Sequence, residues 1–113
     1  MPLQVVFYMT SSGHEPVREW LRLLKKDEKK RIGEDITKVQ FGWPIGMPIA
    51  RKLGRDLWEV RTRLPNKISR VMFTVYGNQI FLLHGFIKKV RKTPNEDLKL
   101  AQSRLHEVKG GHL

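Results

Sequence analysis

Two stretches in the middle of the chain alternate apolar and polar residues with a period of two, which is typical of strands with one buried face. In residues 57–63, Trp58 and Val60 alternate with positions that carry Glu or Arg, and residues 69–76 alternate in the same way. Gly77 and Asn78 then form a two-residue hairpin signal. Residues 79–87 are almost continuously apolar, which indicates a central strand covered on both faces. Together these segments predict a three-stranded antiparallel meander.

The residues before the meander predict one strand and two helices. Residues 3–9 are rich in β-branched and aromatic side chains, as strands are. A second helix is expected to begin near Asp27, which is a good N-cap residue. Residues 42–48 contain two Gly and two Pro and predict an irregular connector. The apolar residues at helical spacing are Val17, Trp20, Leu21 and Leu24 in the first helix and Ile32, Ile36 and Val39 in the second.

A last helix is predicted from its own start signal. Thr93 fits the N-cap, Pro94 the first helical position and Glu96 the third position of a capping box. Residues 109–113 are expected to form a frayed tail, and a chain of 113 residues is one domain by length. The predicted fold is therefore α+β, in the order β-α-α-β-β-β-α, with a mostly antiparallel sheet and the helices packed on one of its faces.

Positive charge is concentrated in one part of the chain. The formal net charge is +11, and residues 51–92 carry eleven basic and two acidic side chains, a net of +9. The remaining segments are almost balanced. A field concentrated in this way attracts a polyanion, and a phosphate backbone is the usual one. A surface that served only solubility would mix both signs.

Other features narrow the class of protein. The chain has no cysteine, which excludes disulfides, a thiolate nucleophile and cysteine zinc sites. No apolar run reaches the roughly 18–20 residues of a membrane span, and residues 1–8 lack the pattern of a signal peptide. The cytoplasm is therefore the expected location, without a membrane partner.

The alternation of the central strands predicts where several arginines lie. If the helices cover the face of Trp58 and Val60, the opposite face presents Arg61, Arg63 and Arg70 side by side. Like charges on neighbouring strands repel each other. A bound phosphate would remove this penalty, and the planar guanidinium group suits phosphate oxygens. The expected ligand of this open face is RNA.

Three motifs occur in order in the second half of the chain. They are KLGRDLWEVR at residues 52–61, RVMF at 70–73 and LLHGFIKK at 82–89, the last followed by KTP at 92–94. Over residues 3–108 the chain resembles the phage-derived Gp49-like proteins, the HigB toxin branch of the RelE/ParE superfamily. The resemblance implies a RelE-like fold of the microbial ribonuclease type and cleavage of mRNA, typically in the ribosomal A site, without metal or other cofactor. The implied partners are mRNA, the ribosome and an antitoxin, often a helix-turn-helix protein of the HigA type.

The reaction that the resemblance implies is attack of a ribose 2′-hydroxyl on the adjacent phosphate, with loss of the 5′-oxygen. It needs a base, an acid and cations that stabilise the phosphorane. By strand position, Arg61 and Arg70 correspond to phosphate and transition-state ligands, and Lys88 and Lys89 are further catalytic candidates. Each of these cations could instead be an ordinary surface charge. The candidates for RNA binding are Arg63, Lys52, Arg55, Arg91 and Lys92.

The groups that transfer protons stay open at this point. RelE uses a tyrosine near its C-terminus, but the tyrosines here, Tyr8 and Tyr76, lie elsewhere. His84 is a candidate acid or base because of its natural pKa, or it is a buried structural histidine. Glu59 is a candidate base, or it pairs with Arg61 or Arg70 across the sheet.

Two other functions compete with mRNA cleavage. The same fold without nuclease activity could inhibit DNA gyrase, as ParE does. A non-enzymatic module that binds RNA or the ribosome would need only the basic surface, and its binding would depend strongly on salt.

Overall fold

The computed structural model describes residues 2–88 and 94–111. Within them the chain forms five strands and three helices, in an α+β architecture as the sequence predicts. The strands are β1 (Gln4–Phe7), β2 (Ala50–Gly54), β3 (Leu57–Leu64), β4 (Lys67–Tyr76) and β5 (Gln79–Lys88), and the helices are α1 (Pro16–Arg22), α2 (Lys26–Gly42) and α3 (Asn95–Gly111). None of these three helices has the length and apolar character that crossing a bilayer requires.

The five strands form one sheet in the order β1-β5-β4-β3-β2. Strands β3, β4 and β5 are the predicted antiparallel meander, and Gly77 forms their second turn with a φ of 61°. Strand β1 pairs with β5 in parallel. The apolar strand β5 therefore lies between two neighbours, as its composition indicates.

Strand β2 is absent from the predicted order. It follows the Gly- and Pro-rich connector directly and pairs with β3 in antiparallel orientation, with Arg51 opposite Glu59. Its sequence, ARKLG, is short and has two charged residues in succession, so it lacks a clear alternating pattern. The sheet therefore has one more strand than expected, and that strand carries an additional arginine.

One face of the sheet packs on α1 and α2. Val17 of α1 and Ile32 and Val39 of α2 lie in one core with Val71 and Phe73 of β4. The spacing of these helical residues places them on one side of each helix, as the sequence predicts. This first core accounts for the predicted packing of the first two helices.

The third helix packs on the opposite face, so the expectation that all helices share one face is wrong. Ala101 and Leu105 of α3 form a second core with Met72 and Leu83 of the sheet. Strands β4 and β5 are apolar on both faces over this part of their length, and an apolar face left in water is unfavourable. A second cover is therefore required.

Two helix ends also differ from the expected ones. The N-cap of α2 is Lys25 rather than Asp27, and the Glu28 side chain accepts a hydrogen bond of 3.0 Å from the Lys25 backbone N–H. Helix α3 continues through the start of the predicted tail to Gly111, and Lys109 pairs with Asp56. The predicted N-cap of α3, Thr93, lies outside the described residues.

Gly85 is required by the packing of α1 on β5. A Cβ atom at this position would overlap the Trp20 indole ring. We expect Gly85→Ala to lower the free energy of unfolding by about 1–3 kcal/mol, because the half-buried ring packs against the first core and cannot move away freely. Urea denaturation measures this change.

Gly33→Ala is the matched control, since a Cβ at Gly33 meets nothing within 4 Å and Ala favours a helix interior. This control is expected to be neutral or slightly stabilising. If Gly85→Ala is equally well tolerated, the close approach of Trp20 does not constrain the sheet.

Candidate anion site

Helix α3 covers only part of its face of the sheet, and the uncovered part is charged. Arg51 of β2, Arg61 of β3, Arg70 of β4 and Lys88 of β5 lie there on four neighbouring strands, with Glu59 among them. Arg51 is opposite Glu59, and Arg61 is opposite Arg70. We call these four cations together with Glu59 the cationic cluster.

Glu59 lies at the centre of the cluster and is completely buried. Its Oε2 accepts a hydrogen bond of 3.2 Å from Nη1 of Arg70, and its Oε1 lies 3.2 Å from Nε of Arg51. Of the two roles considered for Glu59, the structure supports the ion pair with Arg70. A carboxylate held by two guanidinium groups and closed to solvent is poorly placed to accept a proton from a substrate.

The prediction that Arg70 lies open on the sheet face is wrong. Its relative exposure is 1%, and burial lowers the pKa of its guanidinium group. Glu59 opposes this shift, whereas Arg51 and Arg61 reinforce it. Because Arg70 is closed off, its role as a direct phosphate ligand is not supported. Arg70 instead positions the Glu59 carboxylate through the hydrogen bond from its Nη1.

Arg61 is more exposed than Arg70, as expected of a cation that binds phosphate. It is half-buried, and its Nε is buried without a hydrogen-bond partner among residues 2–88 and 94–111. Arg61 and the exposed Arg63 line a cavity of about 180 Å³ together with Pro48 and Ile68. A half-buried guanidinium group that lines an open cavity can bind an anion through its other N–H groups.

The ammonium group of Lys88 is repelled by the other cations of the cluster. Burial lowers the pKa of its ammonium group most, and Arg70 and Arg61 lower it further by repulsion. The ammonium group is therefore a stronger acid than an ordinary lysine. The other candidates from this part of the chain, Lys89, Arg91 and Lys92, lie outside the described residues.

Arg51 is the cation of the cluster that sequence reasoning missed. Its side chain is 43% exposed and is anchored by Glu59 at its Nε. The only signal for it was a basic residue eight positions before Glu59, in a strand too short to recognise. Arg51 is both accessible and oriented, which are the two properties expected of a phosphate ligand.

Two predicted RNA-binding residues lie away from the cluster. Lys52 points to the other face, where its ammonium group lies 5.8 Å from the centre of the Trp58 ring. Arg55 is exposed in the turn after β2, next to Asp56 and its partner Lys109. The structure therefore does not bring Lys52 or Arg55 together with Arg61.

His84 lies on the boundary between the cluster and α3. Its Nε2 is 2.5 Å from Oδ1 of Asp97, and its ring stacks on Phe86 at 5.4 Å between ring centres. Phe86 is opposite Arg70 on the neighbouring strand. The side chain is 15% exposed, so His84 is neither fully buried nor free.

The composition of the cluster limits its chemistry. Among residues 2–88 and 94–111, no group of three or more His, Asp or Glu side chains is arranged to hold a metal ion. Four cations face one carboxylate, so the cluster has an excess of positive charge in a partly buried place. Such an excess is costly unless an anion compensates it.

The fold and the cluster together define a class: a strongly basic α+β protein with a cationic cluster, a candidate anion site, on one sheet face. The chain belongs to the phage-derived Gp49-like protein family (DUF891), whose sequence profile matches residues 19–106. The matched range runs from α1 to α3 and contains the whole cluster. No curated protein shows significant similarity to the chain.

The ion pair of Glu59 makes a testable contribution to stability. Glu59→Gln leaves the Arg70 guanidinium buried without a carboxylate, and breaking a buried pair costs about 3–5 kcal/mol. We therefore expect the urea midpoint to fall by an amount that corresponds to this range.

Glu34→Gln is the matched control, because Glu34 is exposed on α2, and its effect should stay within about 0.5 kcal/mol. Replacing both partners, as in Glu59→Leu with Arg70→Met, should cost less than Glu59→Gln alone. Equal stability of Glu59→Gln and the parent protein would mean that the pair does not hold the cluster.

Proposed function

We propose that the chain is the toxin of a type II toxin–antitoxin system and that it cleaves mRNA on the ribosome. The observation that carries this proposal is the cationic cluster, in which Arg51 and Arg61 present accessible guanidinium groups around a buried Glu59. Cleavage of RNA by its own 2′-hydroxyl needs cations that are fixed before the substrate arrives. The ion pair with Glu59 supplies that fixation for Arg51.

Membership of the Gp49-like family supports the same proposal. Proteins of this family are commonly toxins of toxin–antitoxin pairs and are related to RelE-type endoribonucleases. The HigB branch, and the ribosome as the place of cleavage, are what the resemblance of the motifs in the second half of the chain implies. Those motifs supply three of the four cations of the cluster.

The cluster suggests how the chain assists the reaction. Arg51 and Arg61 bind the non-bridging oxygens of the scissile phosphate and stabilise the added charge of the phosphorane. Lys88 gives its proton to the departing 5′-oxygen, which its lowered pKa favours. Arg63 binds the next phosphate along the message from the rim of the cavity. Arg70 acts through Glu59 and does not contact the RNA.

A cognate antitoxin is part of the proposal, and its chemistry follows from the charge of the cluster. A partner that places carboxylates against Arg51, Arg61 and Lys88 would neutralise them and would block access of RNA. A helix-turn-helix protein of the HigA type, encoded next to the toxin, is the partner that the family resemblance implies.

Cleavage of a defined message on purified, programmed ribosomes tests the proposed function. We expect the parent protein to cut the message, with product ends mapped to single nucleotides. Arg51→Ala and Arg61→Ala should each lower the cleavage rate by about a hundredfold or more, because each removes a cation that contacts the phosphorane. Arg22→Ala is the matched control, since it removes an equal charge from the exposed end of α1.

Two results would contradict the proposal in different ways. An intact message together with inhibition of supercoiling by DNA gyrase would indicate a ParE-like activity. An intact message together with strongly salt-dependent binding to ribosomes or RNA would indicate a binding module without catalysis. If Arg22→Ala lowers cleavage as much as Arg61→Ala, the cluster acts only through its contribution to the overall charge.

A further inference from the structure

Strand β5 departs from regular alternation next to the cationic cluster. Met72 is opposite His84 and Phe73 is opposite Leu82, so Leu83 is an extra residue without a partner in β4. This is a β-bulge, and bulges often turn a side chain to a different face near functional sites. Because of the bulge, Leu83 faces the second core and His84, the next residue, lies on that same side of the sheet as Phe86.

The bulge places His84 beside the cluster rather than under α1. In a regular strand, the residue after Leu83 would point to the first core. Here His84 is followed on the same face by Phe86 and Lys88, and Phe86 is opposite Arg70. His84 is therefore two residues along β5, about 7 Å, from the level of the Arg61–Arg70 pair.

Asp97, in the first turn of α3, fixes the orientation of the imidazole ring. Its Oδ1 lies 2.5 Å from Nε2, so the ionised carboxylate accepts a hydrogen bond from Nε2–H, and in the neutral ring Nδ1 is then the nitrogen with a free electron pair. Stacking on Phe86 restrains the ring plane. A base whose ring is oriented by a carboxylate is the arrangement that proton transfer from a hydroxyl requires.

Helix α3 also contacts the rest of the protein through groups other than this pair. Arg104 donates a hydrogen bond of 2.8 Å to the Leu83 carbonyl, and Tyr8 pairs with Glu107 further along the helix. Ala101 and Leu105 add the apolar contacts of the second core. The His84–Asp97 pair is therefore one of several contacts that hold α3, and it lies at the border of the cationic cluster.

We propose that His84 is the general base of the RNA cleavage reaction and that Asp97 is its positioning residue. This inference rests on the proposed function of the cationic cluster. Nδ1 of His84 takes the proton of the ribose 2′-hydroxyl, the bond from O2′ to phosphorus forms, and the bond from phosphorus to O5′ breaks. The departing O5′ takes the proton of the Lys88 ammonium group. The products are a 2′,3′-cyclic phosphate and a 5′-hydroxyl end, and solvent restores both protonation states.

His84→Gln separates a catalytic from a structural role, because the Gln amide can still donate to Asp97 but cannot accept the 2′-proton. On programmed ribosomes we expect the cleavage rate at saturating protein to fall by about 10²–10⁴-fold. The protein concentration that gives half the maximal rate, and the urea midpoint, should stay unchanged. Asp97→Asn should lower the same rate by about tenfold or more, because the ring loses its orienting partner.

Glu107→Gln is the matched control, since it weakens another pair between α3 and the sheet, away from the cluster. It should cleave at the parent rate. The contradicting result is a His84→Gln variant that cleaves like the parent protein, or that loses activity only in proportion to the loss of folded protein. In either case His84 only joins α3 to the sheet, and this inference fails while the proposed function stands. If the parent protein itself leaves the message intact, the proposed function fails and the role of His84 as base fails with it.

Discussion

The buried carboxylate of Glu59 is the contact on which the open half of the sheet depends. It joins β2 to β4 across β3, because Arg51 and Arg70 reach it from opposite sides at 3.2 Å. A carboxylate without solvent is strongly unfavourable unless such partners surround it. The two guanidinium groups carry twice the charge of the one carboxylate, and the side chain of Arg51 remains 43% exposed to solvent. Under the proposed function, stability and anion binding therefore arise from the same three side chains.

Helix α3 divides its face of the sheet into an apolar part that it covers and a charged part that it leaves uncovered. The helix covers Met72 and Leu83 at one end of β4 and β5. The part of the same face that α3 leaves uncovered carries the cations. A field near a low-dielectric surface is screened less than one in open water. The cluster therefore attracts phosphate more strongly than the same charges scattered over a solvated surface. The bulge at Leu83 lies on this boundary and turns His84 toward the charged part.

The alternating pattern was sufficient to predict the meander of β3, β4 and β5 and to place Arg61 beside Arg70. It could not show that Arg70 is buried, because alternation assigns a residue to a face but does not say how much of that face another element covers. It also missed Arg51, since β2 is short, has two charged residues in succession and directly follows the connector. The bulge was invisible for a related reason: Leu83 and His84 fit an unbroken apolar run equally well on either face. Each of these features depends on contacts between residues that are distant in sequence, and a local pattern does not reveal such contacts.

The excess of positive charge links inhibition to stability under the proposed function. Arg51, Arg61 and Lys88 repel one another, and the lowered pKa of Lys88 reflects part of that repulsion. Any partner that binds the folded chain through carboxylates relieves it and stabilises the folded state by mass action. An acidic antitoxin and an RNA phosphate would thus satisfy the same requirement of the cluster, and the two would exclude each other. Competition for one set of cations, without a conformational change, is sufficient to explain how such a protein is kept inactive.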